Sequence, residues 1–400
     1  MEEIVTGEDD IEPQFKFIVH TRTMQYHISV MKKRIELVSI NSIDQIQVPL
    51  NIHQTIYWLY NEGRETAFGL KQGDLINYYY GDESDLSHFR LLIGCKISFG
   101  TFKQDYLVGD LLGKGTFSKV NKITNLRDGK DYALKKIKLR NEAHLKNIEI
   151  EVAILHQLNH QGIIKLYDVY RLNEKTYGLI TELVIGQSLD SIINKQKQKK
   201  SKLEERDIQM ILKQTLQIID YLHQNKIIHR DIKPQHMILC QNKIIKILDF
   251  GLSSNENQIS CNCGTPGYMP PESFREHSVY TQKGDIFSLG VVFYKLLNRG
   301  VSCFDANTLE SVMSKNRRCT IEYQINGYSP QALHLLKQML QKDPVLRINS
   351  HDALNHTYFT VLRESHNLQE DKGNIYVYQA HPRPSHLSRT NSGELEKTSK

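Results

Sequence analysis

The sequence predicts an α+β protein in two successive parts, and three observations carry that expectation. The first hundred residues break into short runs rich in Ile, Val, Tyr and Phe, bounded by polar or Gly-containing turns. One stretch with helical spacing closes that region, and a dense, ordered series of motifs fills the chain beyond Tyr106. With 400 residues and 40% hydrophobic content, the chain has material for about two or three domains. No apolar run approaches the 18 or more residues a membrane span needs. The opening MEEIVTGEDD is acidic where a secretory signal would be basic and then apolar, and Glu2 stands where myristoylation requires Gly. A cytoplasmic location is expected, with the nucleus an open alternative. Six scattered cysteines form neither a zinc spacing nor a disulfide framework. A net charge of +6 is mild for this length, so nucleic acid is not an expected partner. The basic run KQKQKKSK at 195–202 reads as a solvated loop.

Taken in order, the N-terminal strands are QFKFIVH, YHISVM, RIELVSI, QTIYWLY, ETAFGL and LINYYY, with turns such as YNEGRE and KQGD between them. DLSHFRLLIGCKI comes next, its Leu86, Phe89 and Ile93 recurring at helical spacing. Antiparallel strands capped by one helix, over residues 14–98, resemble a pleckstrin-homology-like domain. The sole tryptophan, Trp58, departs from that family's habit by falling in a strand and not in the closing helix. Lys16, Arg22, Lys32, Lys33 and Arg34 lack the compact alternating pattern of a lipid-phosphate pocket, so protein or intramolecular contact is expected in place of phosphoinositide binding. Residues 1–13 and 360–400 are expected to be disordered, the tail for want of apolar content.

Alone, LLGKGTFSKV (111–120) says little, since Gly113 and Gly115 also suit a hairpin turn. Six segments farther along the chain give it weight: DYALKKIKL (131–139), EVAILHQLNHQGIIKL opening near Glu151, YGLITELVIGQSL, IIHRDIKPQHMIL (227–239), ILDFGLSS and CGTPGYMPPE (263–272). This ordered set, over residues 106–359, resembles the eukaryotic serine/threonine protein-kinase catalytic domain, nearest in texture to the calcium/calmodulin-dependent group. The resemblance implies a two-lobed protein-kinase fold, with a β-rich N-lobe and an α-rich C-lobe, preceded here by a small antiparallel β-barrel closed by one helix. It implies ATP with Mg²⁺ or Mn²⁺ as cofactors and protein substrates.

The resemblance also assigns roles. Gly113 and Gly115 would let backbone N–H groups approach the phosphates, with Ser118 in the third glycine position. Val120 and Ala133 would sandwich the adenine, Ile238 would belong to the same pocket, and the backbone of Glu182 to Val184 would bond the adenine edge in front of Thr181. Lys135 would hold the α- and β-phosphates and pair with Glu151, while Glu149, about 200° away round a helix, should face elsewhere. Asp231 would orient the substrate hydroxyl, Lys233 would neutralise the transferred group, Thr265 would bond both, and Asp249 would bind metal. Glu272 would pair with Arg347, and Asp285 would brace the catalytic loop.

Three departures matter. His236 replaces the catalytic-loop asparagine, whose oxygen binds a second Mg²⁺. Its Nδ1, one bond from Cγ, is expected to reach a metal, but nitrogen suits hard Mg²⁺ poorly and favours Mn²⁺. Removing one such electrostatic group corresponds to about 2–4 kcal/mol, or roughly 10²–10³ in rate. Only neutral imidazole coordinates, which predicts an acid limb near about pH 6.5. The alternative is a pseudokinase that binds nucleotide or acts as a scaffold. In the second departure, Cys261 occupies the usual activation-loop acceptor position; either Ser260 substitutes, under an upstream activating kinase, or no phosphate is needed. In the third, Ser188, Gln235 and Lys295 stand where kinases selecting arginine commonly carry acids, so basic substrates are not expected to be preferred. The tail motif LSRTNS (387–392) is accordingly expected to be modified at Ser392 by another kinase.

Overall fold

The computed structural model describes residues 12–115, 118–255, 263–275 and 279–360. Residues 1–11, the Ser260–Cys261 pair and the LSRTNS tail lie outside them. The chain up to Phe359 clusters as one compact unit.

Seven antiparallel strands come first: β1 (Phe15–His20), β2 (Gln25–Val30), β3 (Arg34–Ser39), β4 (Gln45–Pro49), β5 (Thr55–Asn61), β6 (Arg64–Gln72) and β7 (Leu75–Tyr80). Strict alternation along β2 and β3 sends Ile28, Val30, Ile35 and Leu37 inward, as a half-buried sheet requires. Six of the seven coincide with the aromatic and β-branched runs; β4, QIQVP, was not foreseen, having one fully buried residue, Val48, and a terminal proline. α1 (Glu83–Ile93) comes after β7 and buries Leu86, Phe89 and Ile93 against the sheet. Phe89 packs on Phe68 at 5.0 Å and on Trp58 at 6.0 Å, so the tryptophan of β5 fills the space beneath the helix.

The expected barrel does not close into a hydrogen-bonded ring. β1 meets β7 only at His20 opposite Tyr80, and β4 and β5 share no ladder. The sheet instead continues into the next region. After β8 (Ser98–Phe99) and α2 (Phe102–Asp105) come β9 (Tyr106–Lys114), β10 (Ser118–Asn125), β11 (Asp131–Lys138), α3 (Glu142–Gln157), β12 (Leu166–Asn173) and β13 (Thr176–Glu182). β8 pairs in parallel with β5 on one side and with β12 on the other. The result is one 13-stranded sheet in the order β4-β3-β2-β1-β7-β6-β5-β8-β12-β13-β11-β10-β9.

A buried polar cluster sits at this seam. Arg90 of α1 donates to Tyr170 Oη of β12 at 2.9 Å and lies 3.4 Å from Asp105. Asp105, fully buried, accepts from Tyr60 at 2.6 Å and Tyr170 at 2.7 Å. Burial of the ions is tolerable because each finds several partners; removing one strands a charge, at about 3–5 kcal/mol.

The remainder is mainly helical. β14 (Gly186–Ser188), α4 (Leu189–Lys199), α5 (Glu205–Gln224), β15 (Ile227–Ile228), β16 (Met237–Cys240), β17 (Ile245–Ile247) and β18 (Ser254–Asn255) lead to α6 (Gln282–Leu297), α7 (Leu309–Arg318), α8 (Pro330–Met339) and α9 (Ser350–Leu354). α6 is buried nearly all round, with Phe287, Val291 and Phe293 inaccessible, and forms the centre of this lobe. The run at 195–202 corrects one expectation, because most of it is the last turn of α4 and not a loop. Ser188 caps the helix, Lys200 closes it in the left-handed region, and buried Gln196 donates to the Leu296 carbonyl at 2.8 Å. No described helix is long and apolar enough to cross a membrane.

Candidate active site

The site lies between the two lobes and takes its residues from rigid elements. β11 is buried on both faces at Ala133 and Leu134, and Lys135, on the same face as Ala133, reaches across the cleft. Its Nζ donates to Glu151 Oε1 at 2.6 Å and to Asp249 Oδ1 at 2.8 Å. Asn141 caps α3 by accepting from the His144 N–H at 3.0 Å, and Glu151 projects from the buried side of that helix. Burial opposes a charged Lys135, but the two carboxylates outweigh it and hold the ammonium well above its ordinary range. Burial likewise opposes the Asp249 carboxylate, yet Lys135, His236 and the Gly251 N–H keep it well below the usual range.

The catalytic-loop residues form a closed triangle. Lys233 Nζ is 2.7 Å from Asp231 Oδ2 and 2.7 Å from Thr265 Oγ1, and that hydroxyl donates to Asp231 Oδ1 at 2.7 Å. Asp285 anchors the loop from α6. It accepts from the backbone N–H groups of His229 at 2.9 Å and Arg230 at 2.8 Å, and its Oδ2 meets His223 Nε2 at 3.0 Å. These bonds hold Arg230 at φ +64°, a left-handed conformation that a non-glycine residue keeps only when its surroundings enforce it. Below, Arg347 grips Glu272 with two bonds, Nη1 to Oε1 at 2.7 Å and Nη2 to Oε2 at 2.9 Å, both side chains buried.

His236 bridges the two aspartates. Its Nδ1 lies 3.2 Å from the Asp231 carbonyl, which can only accept, so the ring carries its proton there. Nε2 is left with a lone pair 3.5 Å from Asp249 Oδ2. This reverses the expected use of the ring, since Nδ1 braces the loop and Nε2 faces Asp249, the carboxylate expected to bind metal. Two acceptors facing each other at that distance suit a shared cation, and a divalent ion held by one carboxylate, one nitrogen and substrate phosphates is compatible with the donor set. Among the described residues no three His, Cys, Asp or Glu side chains make a metal cage by themselves. Burial pushes the His236 pKa down to about 4, only partly opposed by Asp249, so the imidazole is neutral at physiological pH, and an acid limb governed by this ring is expected below about 6.5.

A cavity of about 500 Å³ gathers Gly115, Lys135, Asp231, His236, Asp249 and Thr265, with Ser118 and Lys233 beside them. His144 and Asn147 of α3 also line it and were not foreseen. The signal was present, as 144, 147 and 151 recur at helical spacing on the face of Glu151. Gly113, Val120, Ala133, Glu182, Val184 and Ile238 do not line this cavity. Val120 lies opposite Gly113 and Lys135 in the ladders, Ala133 lies opposite Thr181, and Ile238 lies opposite Ser188 and Lys246. The Glu182 side chain is taken by Lys246 at 2.7 Å, and Val184 packs on the helical core. The three candidate selectivity positions are engaged internally: Ser188 caps α4, Gln235 donates to Asp190 at 2.7 Å, and Lys295 donates to Tyr268 Oη at 2.9 Å.

The family model of the protein kinase domain matches residues 106–359. The chain belongs to this family. It is similar to calcium-dependent protein kinase 4 of Plasmodium falciparum, 32% identical over 284 residues that cover 68% of this chain and 52% of the relative. It is also similar to the SNF1-related protein kinase catalytic subunit alpha KIN12 of Arabidopsis thaliana, 32% identical over 64% of this chain and 51% of the relative. A third relative, the carbon catabolite-derepressing protein kinase of Saccharomyces cerevisiae, is 31% identical over 64% of this chain and 40% of its own length. The chain thus spans about half the length, or less, of the curated relatives it matches.

Proposed function

We propose that the protein transfers the γ-phosphoryl group of ATP to serine or threonine hydroxyls of proteins, in the cytoplasm or the nucleus. The observation that carries this reading is the closed triangle of Asp231, Lys233 and Thr265 beside a formed Lys135–Glu151 pair. In it, Asp231 orients the incoming hydroxyl and takes up its proton, Lys233 opposes the charge of the phosphoryl group, and Thr265 fixes the angle between them. Lys135 positions the nucleotide phosphates, with Gly113 and Gly115 allowing backbone approach and Val120, Ala133, Val184 and Ile238 around the base. Asp249 and the Nε2 of His236 would hold a divalent ion, which when bound screens the phosphate oxygens. Relatives named as calcium-dependent and SNF1-related kinases support a place near the calcium/calmodulin-dependent group. For residues 14–98 we retain a pleckstrin-homology-like reading, supported by seven strands and one closing helix, with intramolecular contact in place of lipid as its role.

The deciding experiment incubates the purified protein with labelled ATP and a generic protein substrate, separately with Mg²⁺ and Mn²⁺, beside an Asp231→Ala control. Transfer that the control lacks is the expected result. His236 favours one second reading, a pseudokinase. In that case ATP raises the melting temperature of the protein but no label reaches any protein, itself included.

A further inference from the structure

The Lys135–Glu151 pair exists only while α3 stays against the sheet, and α3 meets the N-terminal region on a different face. Glu149, two residues before Glu151 and about 200° round the helix, receives a contact from His53 Nε2. His53 lies in the turn between β4 and β5. That turn is built and anchored: Asn51 Oδ1 accepts from the N–H of His53 at 3.1 Å and of Gln54 at 3.3 Å. The Gln54 carbonyl accepts from Ser98 Oγ at 2.8 Å, and Ser98 belongs to β8, the strand shared with β12. Ile52, on the same turn, is 3% exposed and falls in the apolar core that holds Ile148, Val152 and Leu155 of α3. Most other buried residues of the N-terminal region, such as Ile28, Trp58 and Phe89, belong to a separate core.

We propose that the 51–54 turn is a built-in positioning element for α3, with His53 holding Glu149 and Ile52 packing in the core beneath, so that the N-terminal region keeps Glu151 within reach of Lys135. This inference rests on the kinase reading of the cleft. Neither Ile52 nor His53 touches the reacting groups; both act through α3 on the lysine that positions the phosphates. The helix is held on two faces, by Lys135 on one and by the turn on the other, and loosening the second shifts the helix toward positions in which the first is broken.

The pair is half-exposed, so its loss is limited to about fivefold in any equilibrium it biases. Ile52→Ala, which also opens a cavity, has the larger effect and also lowers the melting temperature. The test uses the full-length protein and compares His53→Ala, Glu149→Ala, the double variant and His53→Gln, which keeps a hydrogen-bond donor. The readouts are KM for ATP, kcat, and amide hydrogen exchange across 142–157. Expected results are a KM for ATP raised about two- to fivefold in either single variant, no further rise in the double, and faster exchange confined to α3. His53→Gln restores most of the loss, and the melting temperature moves little in these surface variants. If wild-type protein binds ATP while both single variants match it in KM and in α3 exchange, the positioning role is overturned. If wild-type protein shows neither ATP binding nor transfer, the kinase reading fails first, and the exchange of 142–157 alone still decides whether the turn holds the helix.

Discussion

At the residue scale, the proposed chemistry turns on His236. With Nδ1 turned to the Asp231 carbonyl and Nε2 facing Asp249, the ring braces the loop and, in the proposed reading, offers a nitrogen to metal. His236→Asn returns an oxygen ligand and is expected to raise Mg²⁺-dependent turnover by up to about 10²–10³, with a smaller gain in Mn²⁺; steady-state rates in the two metals check this. The pH dependence has a definite sign. Because the folded-state pKa lies near 4 and the ordinary value is about 6.5, the unfolded chain binds more protons between them, so stability from this group is present above about 6.5 and is lost as pH falls toward 4. Denaturant midpoints measured down that range should fall more steeply for the native protein than for His236→Asn, while their activity profiles run parallel above about pH 5. The substitution was plain in the sequence. Which ring nitrogen faces the metal side was not, since that depends on a backbone carbonyl whose direction is set by Asp285 and the strained Arg230.

At the element scale, buried charges fasten the lower lobe, Asp285 of α6 to the catalytic loop and Glu272 to Arg347. Glu272→Gln leaves the Arg347 guanidinium buried with a weakened partner and is expected to cost about 3–5 kcal/mol, read as a lower midpoint in urea. Lys135→Ala should behave differently, abolishing most of the thermal shift given by ATP, a shift that corresponds to about 2.7 kcal/mol when nucleotide is at a hundred times its Kd. A scan with and without ATP separates the two classes. The motifs made both pairs legible, because each partner sits inside a recognisable segment. Two elements were not legible for the opposite reason. β4 carries one fully buried residue and ends on proline, so its strand character comes from the Arg34–Ser39 ladder beside it. The end of α4 is lysine-rich on its exposed side, and only Gln196 turning inward to Leu296 shows why it stays helical.

At the scale of the whole molecule, the surprise is continuity. Six N-terminal strands and their helix could be read from hydrophobic pattern, but β8 is two residues long, below the length at which alternation signals anything. Those two residues join the halves, and Arg90, Asp105 and Tyr170 fasten the seam with bonds drawn from both sides. Calorimetry should therefore record a single unfolding transition for residues 12–360 where two loosely tethered domains would give two. Asp105→Ala should lower it by several degrees without dividing it. A chain begun at Tyr106 would lose β8 and leave β12 with an unpaired edge in place of its parallel neighbour, and such a fragment is expected to associate through it. Modular proteins exchange parts where a slack connector lets one piece leave without unravelling the other. Here the place a recombination event would cut is the middle of a hydrogen-bonded fabric, so a cut there would leave raw strand edges on both pieces.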